Sequence, residues 1–402
     1  MKNMKNLDKK VNIVINAGSS SIKYKIFWKS NDEVIASGQC EKIGNPQGIF
    51  SLKYKDKKIE QTLPIKNHQV AIKKILDELT KNKIISNLKD IYAVGHRTVI
   101  GGDLCNKSVI ATKAVKKEIR DNFDLAPLHN KPELETIEVF EKLLPGVKNV
   151  CVFDISFHRT IPDFNNYPIK QDVVKKYRIY KYGMHGTSYR YIVQKMQNVL
   201  KKKNINLIVC HLGNGASICE VINSKSFNTT MGLTPLEGLM MGTRSGDVDP
   251  SIITYLIRKG FTAEQADDLL NKESGFKGVT GYNDCRDVIT AARKGNKQAT
   301  LGLKMFVSRI AKYIVTYANE IANYGKIDAI VFTAGIGENS PTIIKMVIDS
   351  LPILNLKLDE KKLPIKYDDW KLISTRESKI KIYQVHTNEE LMIEQDIKKL
   401  VK

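Results

Sequence analysis

The 402-residue sequence has no apolar run approaching the ~18 to 20 residues that a membrane helix needs. Its first ten residues are lysine-rich, with no apolar stretch behind them to act as a secretion signal. The cytoplasm is therefore the expected compartment, with no membrane partner. None of the six cysteines (Cys40, Cys105, Cys151, Cys210, Cys219, Cys285) belongs to a C-x-x-C pair, and several sit inside apolar runs. That spacing predicts buried, reduced thiols and excludes a disulfide framework or a thiolate metal site. Basic runs never exceed three residues (201–203), although 64 Lys plus Arg against 43 Asp plus Glu gives a net charge of +21. The lysines are interleaved with acids, and no RNP-type aromatic motif, Cys/His finger or basic tail accompanies them. No nucleic-acid partner is expected; the surplus steers small anions. Walker A, the Gly-rich kinase loop with its HRD triplet and the G-x-S-x-G elbow are also missing, which sets aside P-loop, protein-kinase and α/β-hydrolase chemistry.

What is present is 42% apolar content, ample for two to three domain cores at ~150 residues each. Strand-like segments (11–15, 22–28, 91–94, 150–153, 207–210, 329–332, 380–385) alternate with helix-like ones (70–79, 114–123, 131–143, 189–200, 251–259, 262–271, 298–324, 342–351, 388–400). This alternation predicts an α/β class. The chain also echoes itself. A strand, the small-residue turn N-A-G-S-S-S and a second strand run from residue 13 to 26; a strand, H-L-G-N-G-A-S and a second strand run from 207 to 221. Each reads as a β-hairpin whose turn leaves backbone N–H groups to cradle an anion, and the pair suggests a duplicated unit. A third glycine element, F-T-A-G-I-G-E-N-S at 332–340, follows an apolar strand and precedes a helix, as at a nucleotide site.

Loops between these elements concentrate charge beside glycine. G-H-R-T-V-I-G-G carries Arg97, A-P-L-H-N carries His129, and V-F-D-I-S-F-H ends a strand at Asp154. Y-G-M-H-G-T-S isolates His185, and M-G-T-R-S-G-D-V-D-P isolates Arg244. Two arginines and two histidines on such loops suit phosphoryl transfer, where preorganised cations and donors stabilise charge spread over the migrating group. Such a site needs magnesium, which favours carboxylates together with waters and phosphate oxygens; Asp154 and Glu389 are the candidates. Glu389 also fits a helix-dipole role in a first turn. Ser19, Ser21 and Lys23 are candidate phosphate contacts, or alternate residues of a strand leaving a turn.

Taken in chain order, with D-C-R-D before F-T-A-G-I-G-E-N-S and T-N-E-E-L-M-I after it, these motifs resemble the acetate kinase family, the acetate and propionate kinases of the actin-like ATPase superfamily. The resemblance implies two duplicated actin-like (ribonuclease H-like) domains with a cleft between them, residues 1–155 plus 390–402 and residues 156–389, the second binding nucleotide and forming a homodimer. It implies reversible, direct transfer of the ATP γ-phosphoryl to acetate, with Mg2+ or Mn2+, giving acetyl phosphate and ADP. By motif position Arg97 and Arg244 would grip the carboxylate and the phosphoryl in flight, His185 would stabilise the transition state with weaker support from His129, and Asp154 would position acetate or metal. Asn16 and Glu389 would hold the metal and its waters. Nucleotide would lie along His211, Gly213, Asn214 and Gly215, along Asp284, Cys285 and Arg286, and along Gly335, Ile336, Gly337 and Asn339. Val99, Leu128 and Pro235 would enclose the methyl group beside Met184, which replaces the family's phenylalanine and leaves more room. A propionate or butyrate kinase is the sibling reading. A non-catalytic actin-like nucleotide-binding protein is the alternative from another class.

Overall fold

In a computed structural model, residues 9–402 are described, so most of the lysine-rich start at 1–10 lies outside them, as does the side chain of Leu128. The chain divides into two compact units, one of residues up to Ser156 together with Asn388–Lys402, the other Phe157–Thr387.

The first unit is built on an eight-stranded sheet. Its strands are β1 (Val11–Ala17), β2 (Ser21–Trp28), β3 (Val34–Glu41), β4 (Gly48–Tyr54), β5 (Lys57–Leu63), β6 (Ile91–Thr98), β7 (Val109–Ile110) and β8 (Lys148–Phe153). The order is β5-β4-β3-β2-β1-β6-β8-β7; β1 to β5 form an antiparallel meander, and β6 and β8 run parallel to β1. β1, V-N-I-V-I-N-A, is buried almost throughout, as a strand covered on both faces must be. β2 alternates instead, with Ile22, Tyr24 and Ile26 inward and Lys23 outward. One face packs on helix His68–Lys81 through Ala71, Ile72, Ile75 and Leu79. The other face, with Val14, Phe27, Ala93, Val150 and Val152, is covered by Ile393, Ile397 and Val401 of the C-terminal helix Glu389–Leu400. Gly95 permits that approach: a Cβ there would stand 2.4 Å from Ile393 Cγ2 and 2.7 Å from Ile397 Cδ1.

The second unit holds a six-stranded sheet of β9 (Leu207–Leu212), β10 (Ala216–Ile222), β11 (Lys225–Thr229), β12 (Ala329–Thr333), β13 (Trp370–Leu372) and β14 (Lys381–Val385), ordered β11-β10-β9-β12-β14-β13. β9 pairs antiparallel with β10, and β12 lies parallel to both β9 and β14. The segments β3-β2-β1-β6-β8 and β11-β10-β9-β12-β14 thus share one plan, three antiparallel strands followed by two parallel ones. Both glycine turns close hairpins, as the sequence predicts. All six cysteines are buried and in no disulfide, and among the described residues no helix is long and apolar enough to cross a membrane.

Candidate active site

In the first unit, three neighbouring parallel strands end together. Register places Ile15 of β1 beside His96 of β6, and Thr98 of β6 beside Phe153 of β8, so Asn16, Arg97 and Asp154 emerge side by side at the strand C-termini. Arg97 donates to Asp154 Oδ2 from Nη2 at 2.6 Å and from Nε at 3.1 Å, and to Asn16 Oδ1 from Nη1 at 3.4 Å. Glu389, first residue of the C-terminal helix, brings Oε2 within 3.4 Å of Arg97 Nε. Burial alone would lower the Arg97 pKa, but Asp154 and Glu389 more than offset this and hold the guanidinium firmly charged. Burial pushes the Glu389 carboxyl up; Arg97 opposes the rise and Asp154 adds to it. Two carboxylates and an amide oxygen around one guanidinium leave negative charge and hard oxygen donors to spare, which suits a magnesium ion that keeps most of its waters. Among the described residues no group of three or more His, Cys, Asp or Glu side chains is placed to hold an ion by itself.

The loop after β6 is fixed by helix Pro127–Leu143. Val99 N donates to Glu133 Oε2 at 3.0 Å, Ile100 N donates to Asn130 Oδ1 at 3.1 Å, and Asn130 Nδ2 returns to Ile100 O at 2.8 Å. Burial lifts the Glu133 pKa from 4.5 to about 8, against the pull of the Val99 amide and Arg97. His129 sits in the first turn of this helix. Asn130 and Glu133, three apart on one helical face, escape the sequence reading, which starts that helix at 131 because A-P-L-H-N reads as a turn.

In the second unit, His185 takes a left-handed conformation (φ 59°) at the N-terminus of helix Gly186–Leu200. Its Nδ1 meets Ser217 Oγ at 2.8 Å, and its ring stacks on His211 with centroids 4.1 Å apart. Ser188 Oγ links His211 Nδ1 (2.9 Å) to Thr387 Oγ1 (2.8 Å). Arg244 is half-buried; its Nη1 donates to Pro235 O at 3.2 Å and contacts Met241 Sδ at 3.5 Å, and it has no carboxylate partner among the described residues. Burial accordingly lowers its pKa. A Cβ on Gly215 would stand 3.6 Å from Arg244 Nη1 and 3.8 Å from His185 Nε2, so a cation and an imidazole converge on one stretch of backbone.

Beside that turn opens a cavity of about 980 Å³. Gly213, Asn214, Asp284, Cys285, Arg286, Gly335, Ile336 and Asn339 line it, while His211 in β9, Gly215 in the turn after it and Gly337 in the helical segment Ala334–Asn339 do not. Asn283, Ile289, Thr290, Arg293 and Thr342 also line it and escape the sequence reading. The spacing of Cys285, Ile289 and Arg293, at i, i+4 and i+8 of helix Cys285–Arg293, is the signal for Ile289 and Arg293; Asn283, Thr290 and Thr342 fall outside it. Burial pushes the Cys285 thiol up to about 12, so it is an apolar wall and no nucleophile. Ser19, Ser21 and Lys23 lie in the first unit, on β2 and the turn before it. Val99 is buried in the first unit, and Met184 is buried in the second, where its carbonyl accepts from His158 Nε2 at 2.9 Å.

The sequence matches the Acetokinase family over residues 11–395. It is 45% identical to the acetate kinase of Mycoplasma pneumoniae over 386 residues, covering 96% of this chain and 97% of that one. Among solved structures, a propionate kinase from Francisella tularensis superposes with a TM-score of 0.92 at 37% identity, covering 98% of this chain and all of that one. Porphyromonas gingivalis acetate kinase superposes with a TM-score of 0.89 at 38% identity and the same coverage.

Proposed function

The chain belongs to the acetokinase family and has its duplicated actin-like fold, and from that premise we propose that it transfers the γ-phosphoryl group of ATP reversibly to acetate, giving acetyl phosphate and ADP. The observation that carries the assignment is Arg244. Among the described residues this half-buried guanidinium meets a carbonyl and a thioether and no compensating anion, and with His185 Nε2 it lies near the Gly215 backbone. A phosphoryl group spreading charge over its equatorial oxygens is such an anion. In this reading Arg244 and His185 stabilise the migrating group, Ser217 orients the His185 ring, and the turn from His211 to Gly215 with the cavity beside it holds the nucleotide. Arg97, kept charged by Asp154, binds the carboxylate; His129 supports the site, and Ser19, Ser21 and Lys23 face phosphate. Asn16, Asp154 and Glu389 would hold Mg2+, which when bound draws charge from the phosphate oxygens. Val99, Pro235 and Met184 would bound the methyl group in this reading; the fourth candidate, the Leu128 side chain, lies outside the described residues.

We place the enzyme in the cytoplasm, in keeping with six buried cysteines that form no disulfide. It works as a homodimer in this reading: helix Ser251–Arg258 has no buried residue and exposes Ile252, Ile253, Tyr255 and Ile257, an apolar surface that a second copy would cover. Propionate is the second reading, favoured by the flexible Met184 and by the likeness to a propionate kinase.

Hydroxylamine trapping of the acyl phosphate, with Mg-ATP and acetate, propionate or butyrate in parallel, tests chemistry and acid together. Acetate should give the fastest hydroxamate formation, falling as the acid lengthens, and Arg244→Ala should lower turnover on the order of 10³-fold while ADP still binds. A propionate optimum moves the assignment to the sibling activity. No hydroxamate from folded protein that binds ADP would sink it.

A further inference from the structure

Where β12 ends, the chain enters the glycine element through Ala334, whose φ of +63° lies in the left-handed region that a Cβ disfavours. The residue that meets this strain is four positions on. Glu338 Oε1 accepts from Ala334 N at 2.8 Å, from Thr333 Oγ1 at 3.3 Å and from Thr387 N at 3.0 Å. Its Oε2 lies 2.7 Å from His386 Nδ1, and the His386 ring stacks on Tyr367 at 4.2 Å. The far end of the element is tied as well: Gln384 Nε2 donates to the carbonyls of Gly337 (3.3 Å) and Glu338 (3.0 Å), and Tyr367 OH donates to Glu338 O (3.4 Å). One carboxylate therefore joins the loop after β12 to the end of β14. It leaves Gly335, Ile336 and Asn339 facing the cavity.

We infer that Glu338 is the positioning residue of the nucleotide site, holding Ala334 in its left-handed conformation so that the backbone after β12 is set to receive ADP or ATP. The inference rests on the kinase reading for its ligand. Glu338 touches neither the cavity nor the reacting groups; it acts through Ala334 and Thr387. Since Thr387 Oγ1 continues through Ser188 to His211, the same carboxylate also meets the hydrogen-bond chain that ends at the His185–His211 stack.

The test compares direct Mg-ADP binding by calorimetry with steady-state kinetics on the full chain. Glu338→Ala should weaken ADP binding and raise the ATP KM by about ten- to a hundredfold, the scale of losing charge-assisted hydrogen bonds, and leave the acetate KM within about twofold. Glu338→Gln keeps an acceptor for Ala334 and Thr387 and should restore most of the ADP affinity. The discriminating variant is Glu338→Ala with Ala334→Gly, because glycine holds the left-handed conformation without help and should recover nucleotide affinity. A lowered melting temperature with unchanged ADP affinity in Glu338→Ala would make Glu338 merely structural and overturn the inference, as would a double variant with no recovery. Should Glu338→Ala fail to fold, Glu338→Asp, which keeps the charge but withdraws it by one methylene, must weaken ADP binding or the inference falls. Wild-type protein that binds ADP but makes no hydroxamate would sink the kinase reading alone and leave this comparison standing.

Discussion

Glu133 is a buried carboxyl that works as a neutral group. Burial raises its pKa to about 8 in the folded chain, against about 4.5 once unfolded. Between those values the folded state keeps a proton that the unfolded state has released, so this residue's contribution to stability is full below about pH 4.5 and falls as the pH rises toward 8. Glu133→Gln imitates the protonated form. Urea unfolding at pH 5 and at pH 8 should show a smaller loss of stability in the variant than in wild type; equal losses would mean that Glu133 is ionised in the fold. The residue was not legible in the sequence, because its partner Val99 lies thirty-four positions away. Arg97, Asp154, His185 and Arg244 stand out in the sequence as candidates, since glycine-framed loops mark them. Ser217 beside His185, Asn130 beside Ile100 and Glu338 beside Ala334 do not stand out, because a supporting side chain is defined by the partner that folding brings to it.

At the scale of elements, the central strands announced themselves through apolar runs that burial on both faces demands. β3 to β5 did not. β3 mixes Ser, Gly, Gln and Glu among its apolar residues, β4 carries only short apolar stretches broken by Ser51 and Lys53, and β5 alternates between exposed and half-buried residues as an edge strand does, so no sustained apolar run marked them. The C-terminal helix was read almost to its ends, but its seat on β6 was invisible, because only the structure brings Gly95 against Ile393 and Ile397. That seat also sets where Glu389 stands relative to Arg97, two residues beyond Gly95. Gly95→Ala should therefore destabilise the chain by about 1–3 kcal/mol through overpacking, measurable in urea, and should lower turnover as Glu389 is displaced. Unaltered stability would mean that the helix shifts without cost.

For the whole molecule, the scatter of the +21 charge among acids, and not its size, argues against a nucleic-acid role, and the described residues present an apolar surface in helix Ser251–Arg258. Ile252, Ile253, Tyr255 and Ile257 are 38–53% exposed, and among the described residues none of this helix is buried. Sedimentation should give twice the chain mass. Because none of these side chains is buried, Ile253→Glu with Tyr255→Glu should release folded monomers of unaltered melting behaviour. A variant that still sediments at twice the chain mass would move the contact elsewhere.

The covering of the first sheet by residues 388–402 has a consequence for synthesis. On the ribosome the strands up to Phe153 emerge first, but one face of their sheet, with Val14, Val150 and Val152, lacks its apolar cover until the last helix leaves the exit tunnel. The second unit is continuous in sequence and complete by Thr387. The half of the chain made first is therefore finished last, and the nascent protein carries an open hydrophobic face through most of its translation. During that interval a chaperone has an obvious substrate, and a ribosome that stalls before residue 388 releases a chain prone to aggregate.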